Sequence, residues 1–247
     1  MTGSVVDLAV AAPGTDVPAG RTPPFTVTVF PDVTGRTARV WTLDLASLIT
    51  RVANLSTYAA KSDCPLVKLA RFGEQRTAAG SLRHDGNVLE VSGVEGDHDA
   101  GTLALSDAVA RCAQAGIAAV FYTTPSHTPE RPRWRVLAPF SRPHPPAERR
   151  RFAAWLNGVL GGALAPESFR LSQAFYIGRV AGVPYDWAQS DGAPLDTLPD
   201  LAAAAIDPDA VPTGPTRVPE RARAARAQDV LRIRRCRRAG TRRAGAR

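Results

Sequence analysis

Two aspartates one residue apart, Asp97 and Asp99, close an apolar run and are followed by Ala100-Gly101. In an extended segment, residues i and i+2 point the same way, so both carboxylates can face one ion. Hard oxygen donors with small neighbours suit Mg2+ or Mn2+, which keep waters or substrate phosphates in their remaining positions. His127 lies in Pro125-Ser-His-Thr-Pro129, where two prolines fix a turn and aim the ring, and Ser126 precedes it directly. A histidine so placed can hydrogen-bond a phosphate. Arg133 and Arg135 alternate with Trp134 and Val136, whose side chains should turn inward. Their default place is the solvent face of a strand; their chemical use there would be to reach phosphate oxygens with two guanidiniums. Glu167 is a candidate third acid. With it, a two-metal site would activate an attacking hydroxyl at one ion and steady a leaving pyrophosphate at the other. Asp186, Asp191 and Asp196 compete for that third place.

The elements that must position these residues are legible from periodicity. Phe25–Phe30 alternates as a half-buried strand does. After Asp44 as N-cap, Leu45, Leu48, Ile49, Val52 and Leu55 share one helix face. The stretch from Lys61 to Arg83 holds several basic residues and gives no firm element. Beyond it come a strand at Val88–Val94, a helix from Thr102–Ser106 to Gly116, and a strand at Ile117–Thr124. A strand at Trp134–Phe140 follows, then a helix opened by Pro145-Pro146 and ended by Gly161-Gly162, and a strand at Ala174–Val180. The order β-α-β-β-α-β predicts an α/β (α+β) fold, an RRM-like or ferredoxin-like core with an N-terminal α/β extension. Following chain direction, the end of the first strand, the hairpin between the second and third, and the approach to the fourth share one edge. The Asp97–Asp99, Ser126–Arg135 and Glu167–Gln173 clusters therefore meet at one rim.

Residues 1–23 are rich in Ala, Gly, Pro and Thr and are expected to be disordered, with a catalytic domain over 24–206 and a Pro-containing linker and basic tail over 207–247. The net charge of +8 is unevenly spread: Arg217–Arg247 holds twelve arginines against Glu220 and Asp229, so the first 216 residues are near neutral at −2. Such a tail can add salt-sensitive phosphate contacts to DNA or RNA. Cys64, Cys112 and Cys236 are scattered and odd in number, which argues against a disulfide framework or zinc ribbon and for a reducing cytoplasm. No apolar run approaches bilayer length and no signal peptide is expected, so no membrane partner is expected either.

Gly93-Val-Glu-Gly-Asp97-His-Asp99-Ala-Gly101, Tyr122-Thr-Thr-Pro-Ser-His127-Thr and Pro132-Arg-Trp-Arg135-Val resemble primase-polymerase domains of phage and plasmid replication proteins, in the archaeo-eukaryotic primase superfamily. Glu167-Ser-Phe-Arg-Leu-Ser-Gln173-Ala-Phe-Tyr-Ile-Gly178 looks like the same group, and the resemblance spans residues 25 to 205. It implies an RRM-like sheet, two metals (Mg2+ or Mn2+), nucleoside triphosphates as substrates and primer synthesis on single-stranded DNA. The family's acid-x-acid motif falls on Asp97 and Asp99, and its small-residue–histidine motif falls loosely on Ser126 and His127, with the histidine at the triphosphate. Its single-acid motif falls on Glu167, where aspartate is more usual. No G-x-x-x-x-G-K-[ST] loop is present, so a separate helicase is a further implied partner. Two other readings compete. A rolling-circle nickase needs a His-x-His pair, which His84, His98, His127 and His144 do not form. A non-catalytic single-strand binder of RRM type, or an inactive primase remnant, stacks bases on central-strand aromatics, and Val88–Val94 has none.

Overall fold

A computed structural model describes residues 23–209. The expected disordered N-terminus and most of the basic tail lie outside them. In chain order the elements are β1 (Phe25–Phe30), β2 (Arg39–Leu43), α1 (Leu45–Ala53), β3 (Thr57–Tyr58), β4 (Leu66–Lys68), β5 (Ala70–Phe72) and β6 (Val88–His98). They continue with α2 (Leu105–Gln114), β7 (Ala119–Thr123), β8 (Trp134–His144), α3 (Arg149–Val159), β9 (Phe175–Tyr176), β10 (Arg179–Val180) and β11 (Trp187–Ser190).

A five-stranded sheet in the order β11-β7-β8-β6-β5 carries the site. Its period-2 alternation sorts side chains onto two faces. Val94, Val136, Ala138 and Phe121 pack with Val109 and Cys112 of α2 and Phe152 and Leu156 of α3. Val120, Tyr122 and Leu137 pack on the opposite side against Val27 and Val29 of β1, Val67 of β4 and Leu48 and Val52 of α1. Asp44 caps α1 as expected, its carboxylate accepting the Ser47 N–H at 2.8 Å. β1 belongs to a second sheet, β2-β1-β4-β9, laid over the first.

The split β-α-β-β pairing is present for three strands: β6 and β7 both run antiparallel to the intervening β8. The expected fourth strand is a correction. Ala174–Val180 divides into β9, which pairs with β4, and β10, which pairs in parallel with β3. The division falls at Gly178, where a Cβ would meet Cys64 Sγ at 2.8 Å and the Tyr58 ring at 2.9 Å. The place beside β6 is taken instead by β5, from the basic stretch that gave no firm element. The second helix also starts later than its prolines suggested, because Pro146–Glu148 forms a 3-10 turn before α3.

Asp207 and Asp209, at the end of the described residues, are held to the body. Arg150 of α3 pairs with Asp207 at 2.5 Å and Asp209 at 2.7 Å. Cys64 and Cys112 are buried and unpaired, and burial pushes the Cys112 thiol up to about 12. Among the described residues, no helix is long and apolar enough to cross a membrane.

Candidate active site at the β6–β8 rim

The β6–β8 register places Asp97 opposite Arg135 and Glu95 opposite Leu137. Glu95 and Asp97 therefore share the face turned toward β1 and β4. Arg135 Nε donates to Asp97 Oδ1 at 2.7 Å, and its Nη1 donates to the Tyr176 carbonyl at 2.6 Å. The Tyr122 hydroxyl donates to the same carbonyl at 3.1 Å. This corrects the expectation of a solvent-facing Arg135: its side chain is 6% exposed and already committed to a carboxylate. The reason is the overlying sheet, which covers the face that an isolated RRM-like sheet would present to water.

Asp99 lies past the end of β6 and is 56% exposed; Arg133 Nη1 meets its Oδ1 at 2.8 Å. Arg133 also reaches Ser126 Oγ at 3.4 Å, and its backbone N–H donates to His127 Nδ1 at 3.1 Å. His127 Nδ1 is thus an acceptor, which leaves the proton of a neutral ring on Nε2. Ser126, His127 and Arg133 form one hairpin cluster attached to Asp99.

His98, between the two aspartates, points to the opposite face. It is fully buried, its Nδ1 donates to the Ala163 carbonyl at 2.8 Å, and its Nε2 accepts the Thr102 and Leu103 N–H groups at 3.1 Å each. Its ring stacks on Trp134, with centroids 4.8 Å apart. The histidine inside the acid-x-acid motif is therefore an anchor for the strand end. Gly101 turns the chain at φ 74°, and a Cβ there would run into the Arg131 side chain.

Asp97, Asp99, Arg135 and Glu167 line one cavity of about 390 Å³ with Lys61, Arg83, Gln173, Phe175 and Tyr176. Glu167 is exposed in the 3-10 turn Pro166–Phe169. Among the described residues, Ser126, His127 and Arg133 lie outside that wall. Lys61 and Arg83 are the cations that sequence reasoning did not single out. Lys61 stands in the 3-10 turn Lys61–Asp63 and Arg83 in a loop, and no periodicity marks such positions. Lys61 Nζ lies over the Tyr176 ring at 5.5 Å from its centroid. Arg83 Nη2 donates to the Val33 carbonyl at 2.9 Å, while its buried Nε has no partner among the described residues.

No protein-family model matches the sequence, and no curated protein does. Among solved structures, the chain is similar to the AEP domain of the cyanophage S-2L primase-polymerase. The likeness has a TM-score of 0.41 at 12% identity and covers 73% of this chain and 89% of that one.

Asp97, Asp99 and Glu167, the three expected metal ligands, line the same cavity. Among the described residues, no three His, Cys, Asp or Glu side chains converge to hold a metal ion. Glu167 shares the cavity, but each aspartate is drawn to its own arginine. The donor set still fits a hard divalent cation, because Mg2+ and Mn2+ bind through one or two carboxylates and complete their shells with water and phosphate.

Proposed function

We propose that the chain is a template-directed nucleotidyltransferase, a DNA primase-polymerase, with its reaction centre at Asp97 and Asp99. The observation that carries this is the makeup of the cavity: carboxylates from Asp97, Asp99 and Glu167 face cations from Lys61, Arg83 and Arg135. Acidic and basic groups together in one cleft suit a cation and a polyanion bound at once. The motif resemblance around Asp97–Asp99 and Ser126–His127 names that polyanion as a nucleoside triphosphate, and single-stranded DNA as the template.

In this reading Asp97 and Asp99 hold Mg2+ or Mn2+, which supplies charge stabilisation for the phosphoryl oxygens when bound. Glu167 stands by as a further carboxylate of the cavity. Lys61 and Arg83 hold the triphosphate from the opposite wall. Arg133 exchanges Asp99 for a phosphate oxygen, since an ion pair with a half-exposed partner is worth no more than about 1 kcal/mol. His127 Nε2–H is the hairpin's donor toward the same phosphates. Arg135 stays on Asp97 and fixes its carboxylate. The primer 3′-hydroxyl then gives its proton to water as its oxygen bonds to the α-phosphorus, the α–β P–O bond breaks and pyrophosphate leaves, with most of the rate supplied by positioning and charge.

A second reading, a non-catalytic single-strand binder or inactive primase remnant, is favoured by the Asp97–Arg135 and Asp99–Arg133 pairs, which neutralise both acids without metal. Against its RRM form, the sheet face that would stack bases is covered, with Glu95, Val120 and Leu137 all fully buried. Labelled nucleoside triphosphates incubated with single-stranded DNA and Mg2+ or Mn2+ separate the two. Incorporation that disappears in Asp97→Ala/Asp99→Ala supports transfer; binding of the strand without incorporation supports the binder.

A further inference from the structure

Beneath the cavity lies a set of buried charges that the proposed reaction does not use. Glu95 is fully buried two residues before Asp97. Its Oε2 accepts from Lys68 Nζ at 2.7 Å and from Arg149 Nη2 at 2.8 Å, and its Oε1 accepts the Leu69 N–H. Lys68 and Arg149 are themselves 0% and 1% exposed. Burial alone would push the Glu95 carboxyl up; Lys68, Arg149 and the Leu69 amide outweigh it and hold the group below its ordinary range.

Stability does not explain such a cluster. Buried ion pairs lose hydration and can often be replaced by apolar side chains at no net cost. What the cluster does supply is position. Arg149 Nη2 also donates to the Glu95 carbonyl at 3.2 Å, and Nη1 donates to the Ser168 carbonyl at 2.8 Å. One guanidinium thereby joins β6 to the turn that carries Glu167. The same turn holds Asp97 by its backbone: the Asp97 N–H donates to Ser168 Oγ at 3.0 Å, and the Ala165 N–H donates to the Asp97 carbonyl at 2.8 Å. β5 pairs with β6 no further than Val91, so the Ala165–Ser168 segment ties the strand end where that pairing has stopped.

We propose that Glu95, Arg149 and Ser168 are positioning residues that fix the Asp97 strand end against the Glu167 turn and so set the affinity of the rim for a divalent cation. This rests on the metal-binding reading of Asp97 and Asp99. The geometry, rather than the charge alone, is the active element. Arg149→Lys keeps the charge but cannot span both carbonyls and the carboxylate from one planar fork.

The test is Mn2+ affinity by electron paramagnetic resonance on the full chain, with a thermal melt of every variant. Ser168→Ala removes one buried oxygen, and Arg149→Lys removes the fork. Val52→Ala, on the buried face of α1, is a control for general destabilisation. Expected is a five- to twenty-fold weaker Mn2+ affinity in Ser168→Ala and Arg149→Lys, with the wild-type value in Val52→Ala despite its lower melting temperature. Unchanged affinity in Ser168→Ala, or an equal loss in Val52→Ala, overturns the positioning role while leaving the metal reading standing. A wild-type protein with no saturable Mn2+ site, matching Asp97→Asn/Asp99→Asn, overturns the metal reading and the positioning role together.

Discussion

Arg135 and Asp97 stand directly opposite each other on β8 and β6, joined by a 2.7 Å hydrogen bond between Nε and Oδ1 on the covered face of the sheet. This bond differs from the Arg133–Asp99 pair in what its removal leaves behind, because Asp97 is 18% exposed and Asp99 56%. Arg135→Met leaves a largely buried carboxylate and the Tyr176 carbonyl short of a donor. A loss of about 2–4 kcal/mol in urea unfolding is expected. Arg133→Ala at the half-exposed Asp99 should cost less than about 1 kcal/mol in the same measurement.

Lys61 and Arg83 provide a kinetic prediction. Lys61→Ala and Arg83→Ala should each raise KM for the nucleoside triphosphate roughly tenfold, the loss of about 1.4 kcal/mol of charged hydrogen bonding. Lys61 is exposed and has no buried role, so its melting temperature should stay at the wild-type value. An unchanged KM in both variants would remove them from the triphosphate site.

Buried Lys68 makes stability depend on pH. Burial, then the Arg149 charge, pull its ammonium down from 10.5 to about 7, against the opposing pull of Glu95. Between those two values the unfolded chain binds more protons than the folded one, so this contribution to stability grows as pH rises from 7 toward 10. Melting temperatures of wild type and Lys68→Met, compared at pH 7 and 8.5, should show the wild type gaining relative to the variant. A constant difference between the two proteins would contradict a depressed Lys68.

His98→Ala should be among the most damaging single changes at the rim. It strips the acceptor from two N–H groups at the start of the α2 turn and removes the ring stacked on Trp134. About 3 kcal/mol or more is expected from the unpaired amides and the lost packing, read by chemical denaturation. A variant as stable as wild type would mean that the strand end is held by the Ala165–Ser168 turn alone.

Much of this arrangement was legible in sequence because it is local. The i, i+2 spacing of Asp97 and Asp99, the Trp134/Val136 alternation and the capping of α1 by Asp44 are read from neighbours. The shared rim is met in part: Asp97, Asp99, Arg135 and Glu167 line one cavity, whereas Ser126, His127 and Arg133 lie outside its wall and the expected fourth strand is not in this sheet. Long-range pairing was not legible. Nothing in its neighbours marks Glu95 as the centre of a buried cluster, because Lys68, 27 residues earlier, and Arg149, 54 residues later, are brought to it only by the fold. Arg135 reads as solvent-facing until β9 supplies the Tyr176 carbonyl above it. Ala174–Val180 has the composition of one strand, and only the close approach of Tyr58 and Cys64 at Gly178 explains why it serves two sheets.

Nucleotidyl transfer at the acid pair is tested most directly by counting products. Wild-type protein, single-stranded DNA, nucleoside triphosphates and Mn2+ should yield strands that lengthen on a denaturing gel, with one pyrophosphate released per nucleotide added. Both signals should be absent from Asp97→Ala/Asp99→Ala. Pyrophosphate and chain growth that persist in the double variant, or a wild type that binds the strand and extends nothing, would contradict a reaction centre at Asp97 and Asp99.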